Sequence, residues 1–224
     1  MKRVLLLLAA LTLSAAVQAK DVELKSPDGK VVVMVNTGYH VSYSVKRDGV
    51  LLLAQSQISM TLLDGTLYGG SDFFRVTRRT VDQTVPSPNF KRASVKDHFN
   101  EMTLSASDYD IVFRAYDDGV AYRFVTKEKS GEIAVASEQA EFAFPADWKA
   151  YVPYVARDSS SYEPQFFNSF ENTYSHHTLS EWEKGRLAFL PITVEAPAGI
   201  KLCITESDLL DYPGMYLTNR GGGT

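Results

Sequence analysis

The stretch that most constrains this chain is 109–125, YDIVFRAYDDGVAYRFV. Tyr109, Ile111, Phe113 and Ala115 alternate with Asp110, Val112, Arg114 and Tyr116, the period of a strand with one face buried. Asp118-Gly119 follows, a turn pair in which glycine tolerates positive φ because it has no Cβ to clash. Beyond it, Tyr122 and Phe124 take one face and Arg123 the other. The spacing predicts a β-hairpin. A lone hairpin is only marginally stable in water, so this one requires a larger sheet around it.

The remainder of the chain supplies that sheet. Val22 and Leu24 precede a Ser26-Pro27-Asp28-Gly29 turn, and 31–35 is a β-branched run. Tyr39, Val41, Tyr43 and Val45 alternate with polar residues, Arg47-Asp48-Gly49 turns into 50–53, and Ile58, Met60 and Leu62 form the next alternating set. Further strands are predicted at 72–80, 99–106, 133–136, 141–144, 187–194 and 200–205, and a loop at 81–96, which has no clear period and contains Pro86 and Pro88. Ile200, Leu202, Ile204 and Glu206 share a face, so the Glu206 carboxylate needs a partner. The segment 148–186 is rich in Tyr, Phe, Ser and His without regular alternation, the kind of loop material on which binding sites are built. No stretch keeps a period near 3.6 over three turns, and the turn signals fall at the spacing of a sandwich or barrel. The expected fold class is all-β, with no internal repeat and no linker between separate cores.

Residues 1–19 read as a secretory signal peptide: Lys2 and Arg3 form the charged start, 4–13 the apolar core, and Val17-Gln18-Ala19 the small-residue cleavage site. That core is too short to span roughly 30 Å of hydrocarbon, and no later segment approaches about 20 uninterrupted apolar residues. The expectation is an exported protein, periplasmic or secreted, with no membrane span. No cysteine adjoins the cleavage point, so it is not expected to be a lipoprotein. Cleavage takes the formal charge from −4 to about −6, which argues against nucleic acid as a partner. Cys203 is the only cysteine, so no internal disulfide forms. Its expected role is that of a small apolar residue in a strand. A mature chain of roughly 205 residues can bury one good core.

Several chemistries are missing. There is no Gly-rich phosphate loop, no His-Glu-x-x-His signature, no cysteine pair for a metal and no Gly-x-Ser-x-Gly elbow. His176-His177 are adjacent, and neighbouring side chains in extended backbone point apart, so loop polarity is the expected role and a shared metal ion is not. Asp117-Asp118 reads as a turn pair before it reads as a carboxylate dyad.

Four motifs occur in register along the chain: LKSPDGKVVVMV (24–35), KDHFNEMTL (96–104), FRAYDDGVAYRF (113–124) and ITESDLLDYPGMYL (204–217). Together they resemble the N-terminal domain of glycoside hydrolase family 97, over nearly the whole mature chain. The resemblance implies a large antiparallel β-sandwich of the mutarotase-like kind, spanning 20–224. That domain packs on a C-terminal (β/α)₈ barrel of the same protein. The implied activity is that of an α-glucosidase or α-galactosidase on α-linked oligosaccharides. The catalytic carboxyl pair of such enzymes lies on the barrel, so no catalytic residue is assigned in this chain, and the fragment alone is expected to be inactive. Ser161-Tyr162-Glu163 resembles the segment in which this domain sends a glutamate to a calcium ion; the resemblance therefore implies Glu163 as a metal ligand, the site being completed by the barrel. The chain departs from the family at 81–86, VDQTVP, where many members carry a tryptophan-containing stretch. The alternative is a stand-alone carbohydrate-binding module, with Trp148, Tyr162, Phe166, Phe167 and Trp182 as candidate sugar-stacking rings. A third reading is a packing domain that exposes an apolar patch once isolated.

Overall fold

The computed structural model describes residues 21–221 except 74, 90, 130, 157, 158, 168, 170 and 211; the expected leader at 1–19 lies outside them. The chain enters through β1 (Asp21–Lys25), β2 (Val31–Thr37), β3 (Val41–Arg47), β4 (Val50–Leu62) and β5 (Leu67–Tyr68). It continues through β6 (Arg75–Pro86), β7 (Ser94–Ser105), β8 (Tyr109–Tyr116) and β9 (Gly119–Thr126). It then runs through β10 (Val135–Ala140), β11 (Lys149–Val152), β12 (Ser175–Thr178), β13 (Ile192–Glu195) and β14 (Lys201–Ile204). Three sheets result, ordered β1-β2-β3-β4-β10 with β5 on β4, β6-β7-β8-β9, and β12-β11-β13-β14. Every strand pairing is antiparallel. Helical structure among the described residues is confined to short 3₁₀ turns, and no helix there is long and apolar enough to cross a membrane. The protein is all-β.

The hairpin expected at 109–125 is present as β8 and β9, with Tyr116 opposite Gly119. Along β8 the burial alternates strictly, and Tyr109, Ile111, Phe113 and Ala115 all face inward. The turn itself is Asp117-Asp118, and Gly119 does not take a positive φ. Asp117 instead ties turns together: its carboxylate accepts the Asp28 N–H at 2.9 Å, and its carbonyl accepts Arg47 Nη1 at 3.2 Å.

One apolar cluster draws on all three sheets, with Val33, Val35 and Ile58 from the first, Met102, Ile111 and Phe113 from the second, and Ala150, Ile192 and Val194 from the third. Burying each larger side chain of this kind contributes ~1.5–3 kcal/mol. Tyr109 links the first two sheets. Its ring stacks on Tyr68 at 4.3 Å, its hydroxyl donates to Asp72 Oδ1 at 2.8 Å, and it accepts the Gly69 N–H at 2.8 Å. Gly69 sits at φ +101°, and a Cβ there would lie 2.7 Å from the Ile58 carbonyl oxygen. The position therefore excludes any side chain on two counts.

The segment expected as a loop, 81–96, is mostly strand. β6 and β7 pair in unbroken register from Arg75↔Ser105 to Pro86↔Ser94, leaving only 87–93 as the connection. The alternation that normally marks a strand is missing because the outer halves of both strands are wet on both faces. The runs 50–53 and 58–62 are one long strand, β4, that carries register shifts against β3. β10 replaces the two short strands expected at 133–136 and 141–144. Of the strand expected at 187–194, ladder pairing covers only β13, which begins one residue after Pro191; a proline has no N–H to give a ladder.

Candidate functional site

The irregular segment between β11 and β12 is held by one side chain. Gln165 is fully buried. Its Nε2 group donates toward the carbonyls of Ser159, Ser161 and Gly185 at 3.0, 3.2 and 2.9 Å, and its Oε1 accepts the Leu187 N–H at 2.8 Å. A buried amide with every polar atom occupied fixes the backbone around it. Here it fastens the loop at 159–167 to the turn and following run at 185–187. The 3₁₀ turn Glu163–Phe166 starts with Pro164 in its first positions, where the missing N–H is no loss.

What this turn presents outward is Glu163 among aromatic rings. Tyr162, Phe166 and Phe167 are 47 %, 49 % and 71 % exposed, respectively, and Phe166 meets Tyr216 edge-on at 5.0 Å. Large rings clustered in sequence on one short turn expose more apolar surface than scattered single residues do. Glu163 is itself exposed, and no described residue hydrogen-bonds or ion-pairs with its carboxylate. Calcium takes 6–8 oxygens at about 2.3–2.6 Å, with carboxylates preferred. Among the described residues no group of three or more His, Cys, Asp and Glu comes together as a metal site. By donor chemistry the Glu163 carboxylate would suit a calcium ion as one oxygen ligand, and the described residues supply no further ones beside it.

The candidate sugar-stacking rings divide. Trp182 is buried, donates Nε1–H to the Arg186 carbonyl at 3.1 Å and meets Tyr154 edge-on at 6.0 Å. Trp148 packs against the core and meets Phe144 at 6.3 Å. Both tryptophans are structural, and only Tyr162, Phe166 and Phe167 face outward.

His176 and His177 point apart, as their adjacency in β12 requires. His176 meets the Tyr151 ring edge-on at 4.4 Å. His177 places Nδ1 2.8 Å from the Thr178 carbonyl and Nε2 2.9 Å from the Tyr154 hydroxyl. The carbonyl can only accept, so Nδ1 carries the proton; Nε2 then accepts from Tyr154, whose oxygen accepts the Glu183 N–H at 3.1 Å. A polar groove of about 350 Å³ lies over this sheet, lined by Lys149, Tyr151, His176, Thr178, Glu181 and Glu195 among others. Glu195 accepts from the Tyr151 hydroxyl at 2.8 Å and pairs with Lys201 at 3.1 Å; these two partners, Tyr151 first, hold its carboxyl below the usual range.

Glu206 finds the partner its position demands, the Met215 N–H at 2.7 Å. Cys203 lies in β14 with its side chain exposed, on the outer face and not in the core. Sequence reasoning missed Gln165: a single glutamine in an aperiodic segment carries no local signal of burial.

A family profile described as "Glycosyl-hydrolase 97 N-terminal" matches residues 24–224. A retaining alpha-galactosidase of Bacteroides thetaiotaomicron is 42 % identical over 226 residues, covering 99 % of this chain and 34 % of that protein. The chain thus spans about a third of the length of the curated relative it matches. Among solved structures, a family 97 glycoside hydrolase of Pseudoalteromonas sp. strain K8, in complex with panose, superposes with a TM-score of 0.74 at 22 % identity, covering 90 % of this chain and 31 % of that one. A beta-arabinopyranosidase superposes with a TM-score of 0.75 at 21 % identity, covering 91 % and 34 %. These two likenesses establish the fold. With a family profile matching nearly all of the described residues, this chain belongs to the glycoside hydrolase family 97 N-terminal family.

Proposed function

We propose that this chain is the non-catalytic β-domain of an exported, calcium-dependent retaining α-glycosidase, acting on α-galactosides in preference to α-glucosides. The preference for galactosides rests on the retaining alpha-galactosidase relative at 42 % identity. The domain is read as a large sandwich of the mutarotase-like kind, since three antiparallel sheets share one apolar core. Its partner is the C-terminal (β/α)₈ barrel of the same polypeptide, which brings the two catalytic carboxyl groups. The protein is read as periplasmic or secreted, after removal of residues 1–19.

The observation that carries this reading is the placement of Glu163. It stands exposed, with no hydrogen-bond or ion-pair partner among the described residues, on a turn that is pinned by a fully buried glutamine and also carries the exposed Tyr162, Phe166 and Phe167. That is the form of an oxygen donor held ready for partners on an apposed surface. Calcium, when bound, would supply fixed positive charge beside the sugar at the domain boundary. This chain's own part is to aim one carboxylate, through the Gln165 clamp, and to cover the boundary with aromatic rings.

The experiment is Glu163→Gln in the polypeptide extended to the length of its relatives. The expected result is that the calcium concentration for half-maximal hydrolysis of an α-galactoside rises about tenfold or more, at least the loss seen when a partner of a metal ligand is removed. Thermal unfolding without calcium is expected to stay unchanged. Unaltered calcium dependence would overturn the assignment of Glu163.

The outward rings at 162, 166 and 167 support one other reading, a stand-alone carbohydrate-binding module. Titration calorimetry of this chain with melibiose and maltose separates the two: millimolar or tighter binding that Phe167→Ala removes supports the module, and no heat of binding supports the enzyme domain.

A further inference from the structure

The β6–β7 hairpin outgrows the sheet that supports it. β8 pairs with β7 from Ser105 only as far as Asn100, whereas β6 and β7 continue pairing to Pro86↔Ser94. The outer ribbon, 82–86 with 94–98, therefore reaches about 17 Å beyond the sheet at ~3.4 Å per residue. Two-stranded ribbons are marginal in water without a third surface. Besides its backbone ladder and the facing Val85 and Val95, this one is joined across the strands by polar pairs: Lys96 with Asp82 at 3.2 Å, Gln83 with Asp97 at 2.8 Å and His98 with Asp82 at 3.9 Å. β6 is also an edge strand over its full 12 residues, and a long uncovered edge invites pairing with other chains.

Strand alternation places the Val85–Val95 pair, the Gln83–Asp97 pair and the Val81–Phe99 pair in turn on the face opposite the core, with Arg79, Glu101 and Arg114 next along it. Phe99 is 2 % exposed yet outside the apolar core. On its own sheet the Arg114 guanidinium lies over its ring at 4.4 Å and the Tyr116 ring meets it at 5.0 Å. Glu101 is buried between Arg79 and Arg114 and accepts from both. Half-exposed valines beside a polar pair and preset arginines give this face the mixed apolar and arginine composition of an interface, where fixed side chains lose little entropy on docking.

We propose that this outer face, from the Val85–Val95 pair to the Arg79–Glu101–Arg114 cluster, is the surface on which the later part of the same polypeptide docks, with the ribbon as a clamp along it. The occupant follows from length: the matched relative is about three times longer than this chain. The inference rests on the proposed function for the existence of that later part. It goes beyond it in assigning the face, which the Glu163 turn does not include.

The test is amide hydrogen exchange on the extended polypeptide and on this chain, with Val85→Lys/Val95→Lys as the variant. Amides of 82–86 and 94–98 are expected to exchange at least about tenfold more slowly in the extended protein. The double variant is expected to abolish that difference while leaving exchange of this chain alone unchanged. Equal exchange in an extended protein that hydrolyses its substrate overturns the docking face and leaves the proposed function standing. A stop codon directly after Thr224 overturns both. Protection that appears in this chain alone as its concentration rises assigns the face to a second copy and overturns the proposal.

Discussion

Two consecutive hairpins in one sheet behave differently. In β8–β9 the inward face of β8 is fully enclosed by the core, with Ile111, Phe113 and Ala115 each 0 % exposed, and Val120, Tyr122 and Phe124 of β9 pack part-buried against it. The outer part of β6–β7 has no enclosed face, and its valines at 85 and 95 are each 39 % exposed. Both are antiparallel ribbons with regular ladders, so backbone hydrogen bonding is common to the two and cannot account for the difference. What separates them is apolar area removed from water, the dominant favourable contribution to folding. The comparison teaches that one end of the sheet is stabilised by burial in the core and the other end is not.

The sharpest way to break that contrast is truncation at its stable pole. Phe113→Ala is expected to destabilise the chain by about 3–5 kcal/mol, from lost transfer energy plus a residual cavity, read by urea unfolding monitored by circular dichroism. A value below about 1 kcal/mol would mean that the core does not enclose β8 as described.

An intermediate effect is expected where the two regions meet. Glu101→Gln is expected to cost about 2 kcal/mol at neutral pH, because charge-assisted bonds to Arg79 and Arg114 are lost at a buried site. Arg79 above all, with Arg114, holds the Glu101 carboxyl below the ordinary value of 4.5 despite burial. A depressed carboxylate contributes stability above its unfolded value and loses it as pH falls through the folded one. The gap between wild type and Glu101→Gln is therefore expected to be full above about pH 5 and to close on acidification below 4.5. Unfolding midpoints measured from pH 7 down to pH 3 check this, and a gap that widens in acid would show the ion cluster to be destabilising.

The smallest effect belongs to the wet pole. Val85→Lys in this chain is expected to fall within about ±0.5 kcal/mol, as for surface positions without buried contacts. A loss comparable to that of Phe113→Ala would erase the contrast altogether.

The same physics explains what was legible. β8 could be read residue by residue because one buried face imposes a period of two on side-chain type. The ribbon at 82–86 and 94–98 could not, since with both faces wet nothing selects an alternation, and Pro86 and Pro88 then read as a loop. Trp148 and Trp182 looked like sugar platforms because an aromatic ring has the same identity whether it stacks on a ligand or fills a core. Asp117-Asp118 was legible as a turn pair, although the expected positive φ at Gly119 proved unnecessary. Glu163 was singled out by resemblance alone; its exposure came from the fold.

By itself, the sequence determined the properties that depend on near neighbours along the chain: the strand period, the turn positions, the all-β class and the family motifs in register. Only the tertiary structure decided which rings are buried, that Gln165 clamps the turn bearing Glu163, and that one hairpin outruns its sheet. Those properties depend on surfaces brought together from positions far apart in the chain, so no window of local sequence contains them.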